Sequence, residues 1–401
     1  MAELSRLALA AAGPAGGIPE LTPGIDATPS AEQRALADFC STHPTLANAE
    51  AVQVVVEFQP VESPSLPPAN LFDPATLPNA KVELQLGNSG QLLLPARDLL
   101  VLAALPGVLR VREPWRPSPK SDAVIGRGYD EVMVTDWHDE GVTGLGVRVG
   151  IVDVGFLEFE TLLGKELPDS VAEFFDNGAV ESSRHGAAVA EVVHDFAPDA
   201  ELVLASFGTD LEFGLSLQTM LDEDVHIVNT SIGFDNVWHA DGTSPVTKYA
   251  DAVADAGVLF VGAAGNENER YRVGPLQYEP ESEYIKLADK YAPLIKSPGG
   301  QARVSFRWSE PFGKAAADLD LVLLNPSDDS ECGRSENPQD GDDYPYEEVL
   351  VTGCEEQVYA IVFSSTKADI SGMTGYLYSN YGLLEGEATG TESLTLPADC
   401  F

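Results

Sequence analysis

The region at 129–280 alternates runs typical of β-strands with runs typical of amphipathic helices. Four strand-like runs are present, at 147–154, 201–207, 225–231 and 258–264. Three helix-like runs lie between them, at 185–197, 211–221 and 246–257. In the first helix, one face is predicted to carry Ala188, Val189, Val192, Val193 and Phe196. Repetition of this kind predicts an α/β fold with a doubly wound parallel sheet, covered by helices on both faces.

Three polar residues lie at or just beyond the carboxyl ends of these strands, where open parallel sheets carry their ligand chemistry. Asp153 closes the first strand, His185 opens the first helix, and Asn266 follows the last strand. A carboxylate that orients an imidazole, the imidazole as general base and acid, and an amide for an oxyanion are the parts needed for acyl transfer. Each also has a structural interpretation, as a turn cap, a helix-terminal histidine and a turn asparagine. Together, and in this order, they favour the catalytic interpretation.

A resemblance to a known family lies in four segments of this region. They are GVRVGIVDVGF, RHGAAVAEVVHDFAPDAELVLASF, VNTSIG and GVLFVGAAGNE. In this order they resemble the aspartate, histidine, substrate-strand and oxyanion-asparagine blocks of the subtilisin-like serine peptidases. The resemblance covers 137–267 and implies that Asp153 and His185 are two members of a catalytic triad. It also implies that Asn266 is the oxyanion donor.

The same resemblance implies a substrate-binding strand at Ser231, Ile232 and Gly233, which would pair with the backbone of a polypeptide substrate. Two positions depart from the family pattern. Val154 stands where serine or threonine usually follows the aspartate, and Ala187 stands where threonine usually follows His-Gly. Neither departure removes a group that transfers a proton.

The triad serine is the part still to be found, and DGTSPV at 241–246 is the first candidate for it. Ser244 precedes Asn266, whereas the serine block of the family follows the oxyanion asparagine. Ser244 followed by Pro245 is typical of a helix N-cap with proline at the first helical position. The apolar stripe predicted for that helix consists of Val246, Tyr249, Ala250 and Val253. A second candidate, GTES at 390–393, is followed by no helix of small residues. We therefore expect a peptidase domain cut short before its serine block, with Ser244 as the remaining alternative.

The segments around the α/β region predict further domains. The stretch at 1–45 is rich in Ala, Pro and Gly and is expected to be a disordered tail, and 46–118 is expected to be an α+β unit. That unit resembles the family's inhibitory propeptide, because it lies just upstream and ends in the Pro-rich connector EPWRPSPKSD. Short alternating strands at 281–385 predict an inserted β-sandwich, and 386–401 is expected to return to the peptidase domain. The predicted sandwich core includes Trp308, Leu321, Leu323, Tyr359 and Ile361.

Composition limits the partners of this chain. It carries 64 acidic against 23 basic residues, a net charge of -41, which argues against nucleic acid as a partner. Cys332 and Cys354 flank an acidic loop and could form a disulfide. No cofactor is required by the expected chemistry. Asp318, Asp320 and the acids at 328–348 could bind calcium. The spacing of a defined calcium loop is absent, which favours a solvated acidic face.

The sequence therefore predicts a serine endopeptidase of subtilisin-like type that acts on polypeptides. The alternative is a noncatalytic pseudoprotease or protein-binding module that keeps the groove without the chemistry. The apolar run at 7–12 is too short for the core of a signal peptide, and no membrane-spanning segment is predicted. The expected form is a monomer, and an extracellular location is expected from the resemblance alone.

Overall fold

The computed structural model describes residues 51–58, 77–105, 107–116, 118–119, 132–179, 183–239, 241–265, 267, 269–384 and 388. The expected tail at 1–45 lies outside these residues, as does the expected return segment at 386–401 apart from Ala388. The chain divides into two compact units. One combines 1–114, 275–304 and 308–375, and the other combines 115–274, 305–307 and 376–401.

The N-terminal part of the first unit is a four-stranded antiparallel sheet with one short helix. Its elements are β1 (Val52–Phe58), β2 (Lys81–Leu86), β3 (Ser89–Leu94), a 3-10 turn (Ala96–Asp98), α1 (Leu99–Ala103) and β4 (Val108–Arg112). The strand order is β2, β3, β1, β4, so that β4 forms an edge. Alternate residues of β1 and residues of α1 bury a shared core that includes Val54, Val56 and Leu102. The sequence predicts strands in AVQVVVEFQP, AKVELQL and VLRVREP and a helix in LLVLAALPG, and β1, β2, β4 and α1 lie in these segments, whereas β3 was not predicted.

The second unit contains the parallel sheet. Its elements are β5 (Ser118–Pro119), α2 (Val134–Asp139), β6 (Arg148–Asp153), a 3-10 turn (Phe159–Thr161), β7 (Glu173–Asp176), α3 (His185–Phe196), β8 (Glu201–Ser206), α4 (Asp210–Asp222), β9 (Ile227–Thr230), β10 (Ile232–Gly233), α5 (Pro245–Asp255) and β11 (Leu259–Gly262). The order is β11, β9, β6, β8, β7, and every neighbouring pair is parallel. The four predicted strands and three predicted helices of this region are all present, and β7 is an additional edge strand.

Helices cover both faces of this sheet, as the alternating pattern predicts. On one face, α4 and α5 pack against Val152, Val203 and Val228. On the other face, α3 packs against Ile151 and Leu204. Successive residues of β6 therefore bury against different helices, which explains why no polar residue interrupts the strand between Arg148 and Asp153. Asp153, the last residue of β6, is carried to the carboxyl edge of the sheet by this packing.

The face that α3 buries only partly matches the one predicted for it. Gly186, Ala187 and Ala190 are buried, and Val189 and Val193 pack against the same core as predicted, whereas Val192 and Phe196 are exposed. Small residues at the contact allow α3 to approach β6 closely. The need for this close packing has more influence on which face of α3 is buried than the apolar stripe does. In α5, by contrast, Val246, Ala250 and Val253 are buried and Tyr249 packs beside them, as predicted.

The strands that follow the parallel sheet form one nine-stranded sheet, where the sequence predicted a sandwich of two sheets. They are β12 (Tyr271–Tyr278), β13 (Tyr284–Leu287), β14 (Leu294–Lys296), a 3-10 turn (Pro298–Gly300), β15 (Ala302–Trp308), β16 (Asp320–Leu324), β17 (Glu331–Ser335), β18 (Tyr346–Val351), β19 (Gln357–Phe363) and β20 (Thr374–Ser379). The order is β17, β16, β19, β13, β12, β20, β15, β18, with β14 also paired to β19. Local alternation predicts strands but does not determine which strands pair.

The residues predicted for the sandwich core are buried or half-buried, but they do not share one face. Leu321 and Leu323 point to the opposite side of β16 from Val322, which is paired with Ile361 on β19. A disulfide joins Cys332 to Cys354, as the sequence suggested.

Candidate active site

Asp153 is a fully buried carboxylate at the end of β6. The backbone N–H of Val154 donates to its Oδ1 at 2.8 Å. Burial raises the pKa of Asp153 above its ordinary value, because the low-dielectric surroundings disfavour the charged form. The hydrogen bond with His185 acts in the opposite direction. The carboxylate is therefore held in place by directional partners inside the fold.

His185 is the first residue of α3, and its imidazole faces Asp153. Its Nδ1 lies 2.8 Å from Oδ1 and 2.9 Å from Oδ2 of that residue. An ionised carboxylate only accepts hydrogen bonds, so Nδ1 carries the proton and donates it. The sequence predicted that these two side chains meet, and the structure places them in a hydrogen bond.

The other ring nitrogen of His185, Nε2, is buried and has no hydrogen-bond partner among the described residues. With Nδ1–H donating to Asp153, Nε2 is an acceptor without a donor. Buried acceptors are normally paired, and an unpaired one marks a position where another group belongs. The arrangement can receive a proton from a hydroxyl that approaches Nε2, which is the task of a general base.

Two neighbours that the sequence did not predict hold the start of α3 close to β6. The Oγ of Ser183 accepts from the backbone N–H of His185 at 3.2 Å, and thus satisfies a donor at the helix start. Gly186 leaves no room for a side chain, because an added Cβ would lie 2.8 Å from the Cβ of Asp153 and 2.7 Å from the ring of Phe156. The signals were present in the sequence as a serine two residues before the helix and a glycine in its first turn.

The predicted substrate strand is paired with another extended segment. Ile232 and Gly233 form β10, which runs antiparallel to β5, with Ile232 opposite Pro119 and Gly233 opposite Ser118. Ser231, just before β10, accepts a hydrogen bond from the Asn229 side chain at 3.3 Å. Ile232 and Gly233 can therefore pair through their backbone, and in this structure their partner is a segment of the Pro-rich connector. No feature of the connector alone predicted this pairing.

Ser244 is the N-cap of α5, as the sequence predicted. Its Oγ accepts from the backbone N–H of Thr247 at 3.0 Å and lies 2.8 Å from the Oγ1 of that residue. The side chain is buried, with 2% of its surface exposed. Asn266 and Ser393 lie outside the described residues. Among the described residues, no serine hydroxyl is hydrogen-bonded to Nε2 of His185.

The acidic residues considered for calcium are placed as follows. Among the described residues, Asp340, Asp342 and Asp343 bring carboxylate oxygens within 4.8 Å of one another. Asp318 instead accepts from the backbone N–H of Gln339 at 3.1 Å. Exposed acidic groups such as Asp340 and Asp342 commonly occur without an ion. Calcium therefore stays a prediction.

Comparisons with known proteins give one relative in sequence. The chain is 25% identical over 169 residues to a thermostable alkaline protease from Halalkalibacterium halodurans, which covers 38% of this chain and 44% of that protein. The chain thus matches less than half the length of this relative. No family model matches the chain.

The solved structures to which the chain shows some similarity include two proteases. Epidermin leader peptide processing serine protease from Staphylococcus aureus is 13% identical, with a TM-score of 0.38, over 55% of this chain and 62% of that chain. Fervidolysin from Fervidobacterium pennivorans, a keratinolytic enzyme related to subtilisin, is 16% identical, with a TM-score of 0.35, over 75% of this chain and 52% of that chain. The sequence match to the alkaline protease supports the relationship to proteases that the sequence blocks indicate. None of the described helices has the length and apolar character needed to cross a membrane.

Proposed function

We propose that this chain carries the aspartate and histidine of a serine endopeptidase of subtilisin-like type, which hydrolyses peptide bonds in polypeptides. The observation that carries the proposal is the buried pair in which His185 Nδ1 lies 2.8 Å from Asp153. In the same ring, Nε2 is buried and unpaired among the described residues. A structural histidine would be expected to use both nitrogens, whereas a general base needs one of them free.

The proposed mechanism assigns one task to each group. His185 Nε2 takes the proton of a serine hydroxyl as the oxygen forms a bond to the scissile carbonyl carbon. Asp153 holds the Nδ1–H and stabilises the imidazolium that results. His185 then passes the proton to the leaving amide nitrogen, and water completes hydrolysis through the same base. Asn266 is assigned to the oxyanion, with a backbone N–H of the serine segment as the second donor.

No described serine is hydrogen-bonded to Nε2 of His185, so the proposal assigns the nucleophile to none of the described serines. Ser244 is occupied as a helix cap, and its hydroxyl is bonded to Thr247. A serine hydroxyl must come within about 3 Å of the histidine to be activated. We therefore expect little or no turnover from this chain alone.

Substrate binding is assigned to Ser231, Ile232 and Gly233, which would pair with an extended polypeptide by β-augmentation. The support is that β5 already pairs with Ile232 and Gly233 in antiparallel fashion. This pairing equally favours the second candidate function, a noncatalytic peptide-binding module. We also propose a monomer in an extracellular location, with no nucleic-acid or membrane partner and no required cofactor.

The test is to extend the chain beyond Phe401 with a Gly-Thr-Ser segment of subtilisin-like type and to expose it to a fluorophosphonate probe. Labelling should disappear in His185→Ala. His194→Ala is the matched control, because His194 lies on the same helix α3 and has no assigned role, so its variant should label normally. Labelling that survives His185→Ala would contradict the assignment. Absence of labelling in every form, with peptide binding retained, would favour the binding module.

A further inference from the structure

The connector is held at a second point before it reaches the substrate strand. The backbone N–H of Trp115 donates to Oδ1 of Asp210 at 3.1 Å, and the backbone N–H of Asp210 donates to the carbonyl oxygen of Trp115 at 3.0 Å. Asp210 is the first residue of α4 and is fully buried. Asp210 therefore forms hydrogen bonds with both the backbone N–H and the backbone carbonyl oxygen of Trp115.

The indole of Trp115 packs against an aromatic cluster of the α/β unit. Its ring centroid lies 6.2 Å from that of Trp238 in an edge-to-face arrangement. Trp238 contacts Phe234 at 5.7 Å, and Phe234 contacts Phe213 at 5.9 Å. Edge-to-face geometry is the preferred arrangement of aromatic rings, since it brings the positive edge of one ring to the negative face of the other. The pocket is thus suited to an aromatic side chain.

This cluster is continuous with the substrate strand. Phe234 directly follows Gly233 of β10, and Gly233 is opposite Ser118. Trp115 lies three residues before Ser118, a reach of about 10 Å for extended chain. Between them, the guanidinium of Arg116 donates to the carbonyl oxygen of Gly208 at 3.4 Å. The connector therefore contacts Asp210, Gly208 and β10 in turn.

We propose that Asp210, Phe234 and Trp238 form a subsite for an aromatic residue of an extended peptide. The residue concerned lies three positions before the one that pairs with Gly233. In this structure the connector occupies the subsite through Trp115. This inference rests on the proposed function, because it assigns the subsite to the polypeptide substrates of that function.

The chemistry of the subsite sets its selectivity. The Asp210 carboxylate accepts a backbone N–H, which proline lacks, so proline is excluded at this position. An aliphatic side chain would fill the space but would lose the edge-to-face contact with Trp238. The preferred residue is therefore tryptophan, tyrosine or phenylalanine, whose own backbone N–H donates to Asp210.

The inference can be tested without turnover, by amide hydrogen exchange of the segment 230–234 in the full chain. Trp115→Ala should speed exchange in this segment by about tenfold, whereas Trp115→Phe should stay close to the parent chain. Trp137→Ala is the control, because Trp137 lies on α2 and is 60% exposed. Unchanged exchange in Trp115→Ala would overturn the proposal. An equal increase in the phenylalanine and alanine variants would also overturn it, since it would show no preference for an aromatic ring.

A second readout uses an added ligand. The synthetic octapeptide EPWRPSPK, which copies the connector, should restore slow exchange in the Trp115→Ala chain at millimolar concentration, because it competes with a tethered segment. The analogue EPARPSPK should not. Equal effects of the two peptides would contradict an aromatic subsite. Neither readout needs a catalytic serine, so a failure here is distinct from a failure of the fluorophosphonate test.

Discussion

The Nδ1 atom of His185 lies 2.8 Å from the Oδ1 atom of Asp153 at the carboxyl edge of the parallel sheet. The two residues are 32 positions apart in sequence, and their meeting depends on α3 packing closely against β6. Nε2 of the imidazole has no hydrogen-bond partner among the described residues. The predictions below follow from this pair and from the domain that accompanies it.

We predict that Asp153→Asn raises the free energy of unfolding at pH 7. Burial raises the pKa of Asp153 above the ordinary value of 3.8, so the folded chain holds this proton at higher pH than the unfolded chain. The protonated Asp153 side chain thus contributes stability that is fully present below pH 3.8 and is lost as the pH rises through the pKa of the folded state. Asparagine has no charge to bury, so the variant should be more stable than the parent chain at pH 7. Denaturant unfolding measures it, and lower stability of the variant at pH 7 would contradict the prediction.

We predict that Gly186→Ala destabilises the chain by about 1–3 kcal/mol, because inserted carbon atoms in a packed core force displacement. The added methyl would lie 2.8 Å from the Cβ of Asp153 and 2.7 Å from the ring of Phe156. Gly90→Ala is the control, since an added Cβ there comes no closer than 3.5 Å to a neighbour. Thermal unfolding of the two variants should separate them, and equal effects would show that the close approach of α3 is not needed.

The sequence predicts the elements of the parallel sheet better than it predicts their contacts. Apolar periodicity identified β6, β8, β9 and β11, because it reflects burial along a single element. It assigned the buried face of α3 to Val192 rather than Ala190, because the distance between helix and sheet is set by several elements together. Pairing partners are likewise set by distant segments, so β5 on β10 and the single nine-stranded sheet could not be read from local patterns.

The candidate site likewise combines features that local sequence predicts with contacts that it does not predict. Residue types and strand ends were sufficient to select Asp153 and His185. The supporting contacts of Ser183 and Gly186, and the pairing of the connector with the predicted substrate strand, depend on three-dimensional proximity. Ser244 was assigned correctly as a cap because N-cap chemistry is local, involving only its own helix.

The disulfide between Cys332 and Cys354 should contribute about 3 kcal/mol to the stability of its domain. It closes a loop with a sequence separation of 22, and constraint of the unfolded chain is the main expected source of the effect. The double variant Cys332→Ser and Cys354→Ser tests this by denaturant unfolding. The same change in Cys40 serves as a control for loss of a thiol. A double variant as stable as the parent chain would contradict the prediction.

The stability of the nine-stranded sheet domain should fall as pH rises from about 4.5 to about 8. Glu347 is fully buried, and burial raises its pKa to about 8, against hydrogen bonds from Ser335 and Gln339 that lower it. The folded state therefore keeps the proton that the unfolded state releases, and the slope should reach about 1.4 kcal/mol per pH unit. Unfolding titrations at several pH values measure this slope. Glu347→Gln should flatten it, whereas Glu348→Gln, at a more exposed neighbour paired with Arg303, should leave it unchanged.

The most direct test of the central claim is fluorophosphonate labelling of the 401-residue chain itself, with Ser244→Ala and His185→Ala beside it. The account predicts no labelling above background in any of the three, because the hydroxyl of Ser244 caps α5 and no described serine is bonded to Nε2 of His185. Strong labelling of the parent chain that disappears in both Ser244→Ala and His185→Ala would contradict it, and would make Ser244 the nucleophile.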